Sequence, residues 1–216
     1  IVQITAANNW GGIIRQYGLS EVCFLHVPLS AREPQPASSA VDVEPRVTLH
    51  WRAGREAAVH EVYLSTDEQA VIDRTAPVAV VSAATHDAGA LDLDRTYYWR
   101  IDEVNEADPN SPWKGDVWSF TIPPKTAYYP DPADGAEFVD LNAKLKWTAG
   151  FGAKLHYIIF GEDYDEVNDA AIGVPNGTTT YNPGQLKLAR TYYWRVDEFD
   201  GTQTNKGEVW SFTTLG

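Results

Sequence analysis

The chain has 216 residues, of which 44% are hydrophobic, and it carries a formal net charge of −13 at pH 7. This length allows one or two domains with packed cores. The acidic excess argues against nucleic acid as a partner, because a phosphate-binding surface needs clustered lysine and arginine. No apolar run approaches the roughly 18 residues of a membrane-spanning helix, so we expect no membrane insertion.

Residues 1–30 form an unrepeated leader with two strand-like runs, VQITA and EVCFLHV. The chain contains no methionine and begins at Ile1, which indicates a processed or excised piece of a longer product. A β segment this short cannot bury a core alone, so its apolar side chains need a cover. The leader folds back on the next unit, is the stub of a truncated domain, or completes a sheet of a neighbouring subunit. The candidate side chains for such strand donation are Val22, Phe24, Leu25 and Val27.

The rest of the chain contains an internal repeat. Two stretches recur nearly unchanged: RTYYWR(I/V)DE at 95–103 and 190–198, and KG(D/E)VWSFT at 114–121 and 206–213. Trp51 is matched by Trp147, 96 positions later. Repetition at this period predicts two homologous units of about 90 residues. We place them at 31–123 and 124–216.

Within each unit the strand signals are short, alternating and bounded by Gly, Pro, Asp and Asn, which predicts an all-β fold at sandwich spacing. Side chains alternate along a strand. One face of the first nonapeptide is therefore predicted to enter the core, and it carries Tyr97, Trp99 and Ile101. The opposite face is predicted to be exposed, and it carries Tyr98, Arg100 and Asp102. One helical turn is predicted after Asp67 and another after Asp163, each of which can cap it.

Leu91, followed by Tyr97, Trp99 and Ile101, resembles the sixth strand of fibronectin type III and related immunoglobulin-like sandwiches. The resemblance implies two tandem β-sandwiches in which Tyr97 forms a tyrosine corner, its hydroxyl bonding backbone a few residues upstream. The repeat is similar to tandem modules of large secreted bacterial proteins, notably those of planctomycetes. The leader stretch NNWGG…QYGLSEV resembles the closing strands of discoidin-like, galactose-binding jelly rolls, of which only the tail is present.

No constellation of residues indicates an enzyme, a cofactor or a metal. The five histidines lack ligand spacing, and no Ser/His/Asp grouping or glycine-rich phosphate loop occurs. Asp102 and Glu103 point to opposite faces of a strand and cannot act together as acid and base. The acidic run GEDYDEVND at 161–169 invites a calcium hypothesis, but it lacks the glycine and terminal glutamate of an EF-hand loop. We expect a solvated acidic loop there.

Four residues are candidate contact or modification sites. Trp113 is matched in the second unit by Asn205, so the shared core does not require it. Trp113 packs against a neighbouring module, stacks on a sugar or partner, or covers its own sandwich end. Trp10 and Tyr98 are further candidates for partner contact, and Asn176-Gly177-Thr178 is a candidate glycosylation sequon.

Short, proline-marked linkers flank the units and favour semi-rigid connections. We therefore predict a non-enzymatic, extracellular or cell-surface spacer that is a building block of a larger or filamentous assembly. Its expected partners are other copies of itself or neighbouring domains. The alternative is a carbohydrate-binding accessory region of a larger secreted glycan-degrading enzyme, with Trp10 and Trp113 as sugar contacts.

Overall fold

The structure is a computed structural model that describes residues 28–216. Trp10 and the strand-donation candidates Val22, Phe24, Leu25 and Val27 lie outside the described residues. The described chain is all-β apart from two short helices, and it forms two immunoglobulin-like, fibronectin type III-like β-sandwiches in succession.

The first sandwich contains β1 (Arg32–Gln35), β2 (Arg46–Arg52), β3 (Val59–Ser65), α1 (Glu68–Ile72), β4 (Val78–Val81), β5 (Thr85–Ala90), β6 (Arg95–Val104) and β7 (Trp118–Ile122). The second contains β8 (Tyr128–Asp131), β9 (Ala136–Val139), β10 (Leu145–Thr148), β11 (Leu155–Gly161), α2 (Tyr164–Asp169), β12 (Val174–Asn176), β13 (Thr180–Tyr181), β14 (Thr191–Phe199), β15 (Thr204–Asn205) and β16 (Val209–Thr214).

Each sandwich pairs a three-stranded sheet with a larger one. The sheet orders are β1-β2-β5 and β4-β3-β6-β7 in the first sandwich, and β8-β10-β13 and β12-β11-β14-β16-β9 in the second. Strand β9 runs parallel to β16, and its counterpart in the first sandwich is a single parallel bridge between Ala40 and Phe120. The seven strands of the first sandwich have the arrangement of an immunoglobulin-like sandwich, and the second sandwich adds the short strands β9 and β15 to it.

The inward face predicted for the nonapeptide is confirmed. Trp99 is fully buried in the first core and Trp194 in the second. Each packs edge-on against the tryptophan of the last strand: the ring centroids of Trp99 and Trp118 are 4.8 Å apart, and those of Trp194 and Trp210 are 4.7 Å apart. The single change within the repeat, Ile101 to Val196, falls at a buried core position, where a modest change in volume is tolerated.

The predicted tyrosine corner is present in both sandwiches. The backbone N–H of Asp92 donates to the Tyr97 hydroxyl oxygen at 2.9 Å, and that of Lys187 donates to the Tyr192 hydroxyl oxygen at the same distance. In each case the acceptor hydroxyl lies five residues downstream in the sequence. The corner therefore ties the start of β6 or β14 to the loop that precedes it.

The two predicted helical turns are also confirmed. The Asp67 side chain accepts hydrogen bonds from the backbone of the first turn of α1, and the Asp163 side chain caps α2 in the same way. Helix α1 packs on β3 and β6, where it buries Val71 against Tyr63. Each helix thus covers part of the outer face of the larger sheet.

The chain enters both sandwiches in the same way. The Arg55 N–H donates to the Pro28 carbonyl at 3.1 Å, and the Phe151 N–H donates to the Pro124 carbonyl at 2.7 Å. Only glycine fits at positions 54 and 150, because a Cβ atom on Gly54 or Gly150 would collide with a backbone carbonyl of the incoming segment. We call this the leading end of each sandwich and the opposite end, where the chain leaves, the trailing end.

Candidate functional site

A buried histidine and glutamate face each other at the leading end of the first sandwich. His60 of β3 lies directly opposite Glu103 of β6, and both side chains are almost completely buried. The imidazole Nδ1 of His60 hydrogen-bonds Glu103 Oε2, while the Gly54 N–H donates to Oε1 at 2.9 Å. The carboxylate thereby fastens the β2–β3 turn to the end of the core.

The second sandwich repeats this arrangement. The His156 Nδ1 lies 2.5 Å from Glu198 Oε2, and the Gly150 N–H donates to Oε1 at 3.3 Å. Burial raises the pKa of Glu198, and the hydrogen bond from His156 opposes that shift. The Trp147 ring packs edge-on against the His156 ring, with centroids 5.4 Å apart, and shields the pair from the core side.

These pairs are the polar groups that sequence reasoning missed, because it treated the histidines one by one. The signal was present: His60 and His156 recur at the repeat spacing, and Glu103 continues the inward alternation of Trp99 and Ile101. In each sandwich the pair joins two neighbouring strands of the larger sheet, and its carboxylate also accepts a hydrogen bond from the glycine of the preceding turn.

The outer face of the nonapeptide was predicted to be exposed, and this prediction is wrong for Arg100 and Asp102, which are 3% and 0% exposed. Arg100 Nε lies 2.8 Å from Asp102 Oδ1, and its Nη1 donates to the Ile72 carbonyl at the end of α1 at 3.0 Å. Arg74 donates to Asp102 Oδ2 at 2.6 Å, and the Gly115 N–H donates to Oδ1 at 3.1 Å. The covering helix and the loop before β7 account for the burial.

Arg195 and Asp197 form the corresponding pair under α2. Arg195 Nε donates to Asp197 Oδ1 at 2.8 Å, and its Nη2 reaches the carbonyl of Ala170 at 2.7 Å. The Gly207 N–H donates to Asp197 Oδ1 at 2.9 Å. In both sandwiches, therefore, the charged part of the repeated nonapeptide pins a helix and a loop to the sheet. The third residue of this face, Tyr98, is half-buried against the α1 cluster.

Trp113 lies at the leading end of the first sandwich, where its backbone pairs with that of Glu103. Asn205 pairs with Glu198 in the same manner, so the two positions correspond as the repeat predicts. Trp113 is half-exposed and lines an open groove of about 460 Å³ with the incoming segment, formed by Pro28, Leu29, Ser30, Pro112, Trp113 and Lys114.

Asn176 ends strand β12, and its side-chain amide is engaged within its own loop. The amide nitrogen donates to the carbonyls of Thr178 at 2.9 Å and Thr180 at 2.8 Å. A glycan attached to this nitrogen would replace one of these bonds. Glycosylation at Asn176 stays a prediction.

The acidic run at 161–169, for which a solvated loop was expected, supplies the cap and the body of α2, and most of its residues are exposed. Within residues 28–216, no cluster of three or more His, Cys, Asp or Glu side chains is placed to hold a metal ion. None of the helices in the described part of the chain has the length and apolar character needed to span a membrane.

No protein-family model matches the chain, and no curated protein matches it. Among solved structures, the FN1–FN3 domains of chicken CNTN1 match at 12% sequence identity with a TM-score of 0.32. The match covers 88% of this chain and 68% of that chain. The fold described above is identified from its strand order, its tyrosine corners and its repeated cores.

Proposed function

We propose that this chain is a non-enzymatic, extracellular spacer module, a building block of a cell-surface or filamentous assembly. The observation that carries the proposal is the connection between the two sandwiches. Pro123 and Pro124 link them, and the Tyr128 hydroxyl at the leading end of the second donates to Asp42 of the first at 2.5 Å. Proline restricts the backbone, and the hydrogen bond adds a second tie between the modules.

The use of the buried charged groups supports the same function. The His–Glu and Arg–Asp pairs bond to turns, helix ends and backbone N–H groups of their own sandwich. An active site needs such groups facing a space that a substrate can enter. Their interior placement favours a mechanical role for the repeat.

The test is a distance distribution between spin labels, one on each sandwich, measured by pulsed electron resonance. A semi-rigid spacer gives a narrow distribution, and replacing Pro123 and Pro124 with glycine together with Asp42→Ala broadens it. Asp131→Ala, a change away from the joint, is the control. A broad distribution in the unmodified chain, or hydrolase or lyase activity of the chain on polysaccharides, would overturn the proposal.

Extracellular placement rests on the resemblance to secreted tandem modules and on the sequon at Asn176. Assembly through the leader strands, with Val22, Phe24, Leu25 and Val27 donated to a neighbour, stays a prediction, because these residues lie outside the described part. Its test is removal of residues 1–30: strand donation predicts that the shortened chain keeps both sandwiches folded and is monomeric, whereas association through another surface would survive the deletion.

A second function, carbohydrate binding, is favoured by one observation. The half-exposed Trp113 ring borders the groove at the leading end, and an indole face with a nearby polar rim suits a pyranose ring. Binding on a glycan array that is lost in Trp113→Asn, the residue found at this position in the second sandwich, would support it. Loss of binding in the control Trp118→Phe, in the core, would point to misfolding instead.

A further inference from the structure

The two prolines between the sandwiches are each bonded by a different sandwich. The Asp94 N–H, just before β6 of the first sandwich, donates to the Pro123 carbonyl at 3.2 Å. The Phe151 N–H, in the β10–β11 turn of the second sandwich, donates to the Pro124 carbonyl at 2.7 Å. These carbonyls belong to consecutive residues whose rings restrict the backbone. The position of one sandwich relative to the other therefore depends directly on these two bonds.

The β10–β11 turn lies against the backbone of the incoming linker. A Cβ atom at Gly150 would lie 2.2 Å from the Lys125 carbonyl oxygen. The Ala153 N–H donates to the Gly150 carbonyl at 3.1 Å, and Gly152 has a φ of 77°. A positive φ at the third residue is the mark of a type II turn. Because this turn contacts the linker through Gly150 and Phe151, a displaced turn would displace the linker with it.

The buried His156–Glu198 pair holds this turn from inside the second sandwich. Glu198 Oε1 accepts the Gly150 N–H at 3.3 Å, and Glu198 Oε2 lies 2.5 Å from the His156 Nδ1. The backbone of Glu198 pairs with His156 of β11 on one side and with Asn205 of β15 on the other. The carboxylate is therefore a fixed anchor for a turn at the surface.

A gain in stability alone does not explain a buried histidine and glutamate at these positions. Replacing a buried charged pair with well-packed apolar residues is often neutral or stabilising, and the best-attested use of such pairs is to fix a register. An apolar side chain in place of Glu198 would leave the Gly150 N–H without its acceptor. The property that the pair adds is the position of the turn.

The linker also forms an ion pair at the surface of the second sandwich. The Lys125 Nζ lies 3.7 Å from Asp200 Oδ2, and the Lys125 side chain is 43% exposed. Water and salt screen an ion pair of this kind, which holds a geometry only weakly. The hydrogen bond from Phe151 to the linker is the stronger constraint.

The first sandwich has the same contacts at its own leading end. Glu103 accepts the Gly54 N–H, and the Arg55 N–H donates to the Pro28 carbonyl. The grip on the incoming segment is thus a repeated feature of the module. Since the contacts of the first sandwich lie away from the joint, they provide matched controls for those of the second.

We propose that the joint is held from inside the second sandwich, where the buried His156–Glu198 pair fixes the turn that grips the Pro124 carbonyl. Glu198 and His156 are then positioning residues, which set the direction of one module relative to the other. The inference rests on the proposed spacer function and names the residues that make the spacer stiff.

The experiment measures the distance between spin labels at Thr48→Cys and Lys144→Cys by pulsed electron resonance. These two positions are exposed and correspond in the repeat. Cys23, the native cysteine, is replaced by serine so that only the introduced thiols react. The otherwise unmodified chain is expected to give a single narrow distance peak.

Phe151→Pro tests the grip on the linker. Proline suits the second position of a type II turn, but it lacks the N–H that bonds Pro124 and places a ring carbon there. This variant is expected to lose the narrow peak. The matched variant Arg55→Pro, which deletes the corresponding N–H of the first sandwich, should keep it.

The double variant Glu198→Leu with His156→Leu tests the role of the buried pair. It keeps the interior apolar and removes the acceptor of the Gly150 N–H, so the narrow peak should be lost while tryptophan fluorescence shows a folded second sandwich. Glu103→Leu with His60→Leu is the matched control and should keep the peak. Glu198→Gln, which retains an acceptor oxygen, should keep it too. Should the double variant not fold, Glu198→Thr replaces it, since its hydroxyl is too short to reach Gly150.

Three results would overturn the inference. If the peak stays narrow in Phe151→Pro, the turn does not hold the linker. If it stays narrow when Glu198 has lost its acceptor, the pair does not position the turn. If the matched variants of the first sandwich broaden the peak equally, the effect is a general loss of stability. The spacer function survives all three, because it fails only when the unmodified chain itself gives a broad distribution.

Discussion

The first sandwich presents Asp42 and Trp113 at its two ends, where the second presents Phe138 and Asn205. Inside, the two are nearly the same: His60–Glu103 is repeated by His156–Glu198, and the paired core tryptophans have centroid distances that agree to 0.1 Å. The two sequences therefore differ at these end positions and agree at the buried positions that hold each sandwich together.

The edges of the larger sheets differ as well. Within residues 28–216, strand β4 of the first sandwich pairs on one side only and has the exposed valines Val78 and Val80, whereas its counterpart β12 is shorter and carries Pro175. Proline removes a backbone donor and so blunts an edge strand against pairing with another chain. Pro175 therefore protects this edge of the second sandwich, whereas β4 contains no proline.

The largest expected effect tests whether the two cores are equivalent. Trp99→Ala and Trp194→Ala each remove a fully buried indole and should cost about 3 to 5 kcal/mol of unfolding free energy. Because each core is local to its sandwich, each variant should unfold its own sandwich first in a denaturant titration. A variant that melts within a few degrees of the unmodified chain would show that its tryptophan is not a core anchor.

Much of this core could be predicted from the sequence, because alternation alone separates Tyr97, Trp99 and Ile101 from their neighbours. The burial of Arg100 and Asp102 could not. Alternation shows which side of a strand a residue occupies, but not whether a helix from elsewhere in the chain covers that side. The turn predicted after Asp67 was located correctly, and only its docking on the sheet was missing from the sequence.

The candidate contacts at the ends could be predicted in part. The mismatch of Trp113 with Asn205 is visible once the repeats are aligned. The mismatch of Asp42 with Phe138 is visible in the same alignment, but its meaning depends on knowing that Tyr128 lies across the joint. That contact joins residues 86 positions apart, and no local pattern encodes it.

The tyrosine corners provide the second test of equivalence. Tyr97→Phe and Tyr192→Phe each delete the hydroxyl that accepts a backbone N–H at 2.9 Å, and each should cost about 1 to 3 kcal/mol. The two costs should agree, since the geometry does. Equilibrium unfolding followed by tryptophan fluorescence measures both. Absence of any effect in one of them would mean that its corner contributes nothing to stability.

The third test uses the pH dependence of the unfolding free energy to distinguish the buried His156–Glu198 pair from the buried His60–Glu103 pair. Burial raises the pKa of Glu198 above that of an unfolded glutamate, so the folded state binds this proton more tightly than the unfolded state does. The contribution to stability is thus complete below the ordinary pKa and is lost as pH rises through the raised value. The slope for this one proton is at most about 1.4 kcal/mol per pH unit.

Glu198→Gln keeps the shape of the side chain and should abolish that slope in the second sandwich. Glu103→Gln is the matched change in the first and should leave the slope of the second untouched. Thermal unfolding measured from mildly acidic to neutral pH resolves the difference. If Glu198→Gln retained the full pH dependence, the proton would belong to another group.

The smallest expected effect concerns the joint between the two sandwiches. Burial, and then the hydrogen bond to Asp42, raise the pKa of Tyr128 above the ordinary tyrosine value. Asp42→Asn removes the anionic acceptor, so the pKa of Tyr128 should fall towards its usual range and the joint should lose about 0.5 to 1.5 kcal/mol. Titration of tyrosinate absorbance measures the shift, and the Tyr128→Phe variant shows which part of the titration curve belongs to Tyr128, because that part is missing from it.

Tyr63 is the internal reference for this titration. Burial and Glu61 raise the pKa of Tyr63 to about 12, and neither Tyr63 nor Glu61 touches the joint. Deprotonation of Tyr128 would leave two anions facing each other, so the tie between the sandwiches weakens at strongly alkaline pH. An unchanged titration curve in Asp42→Asn would mean that Tyr128 and Asp42 do not meet in solution.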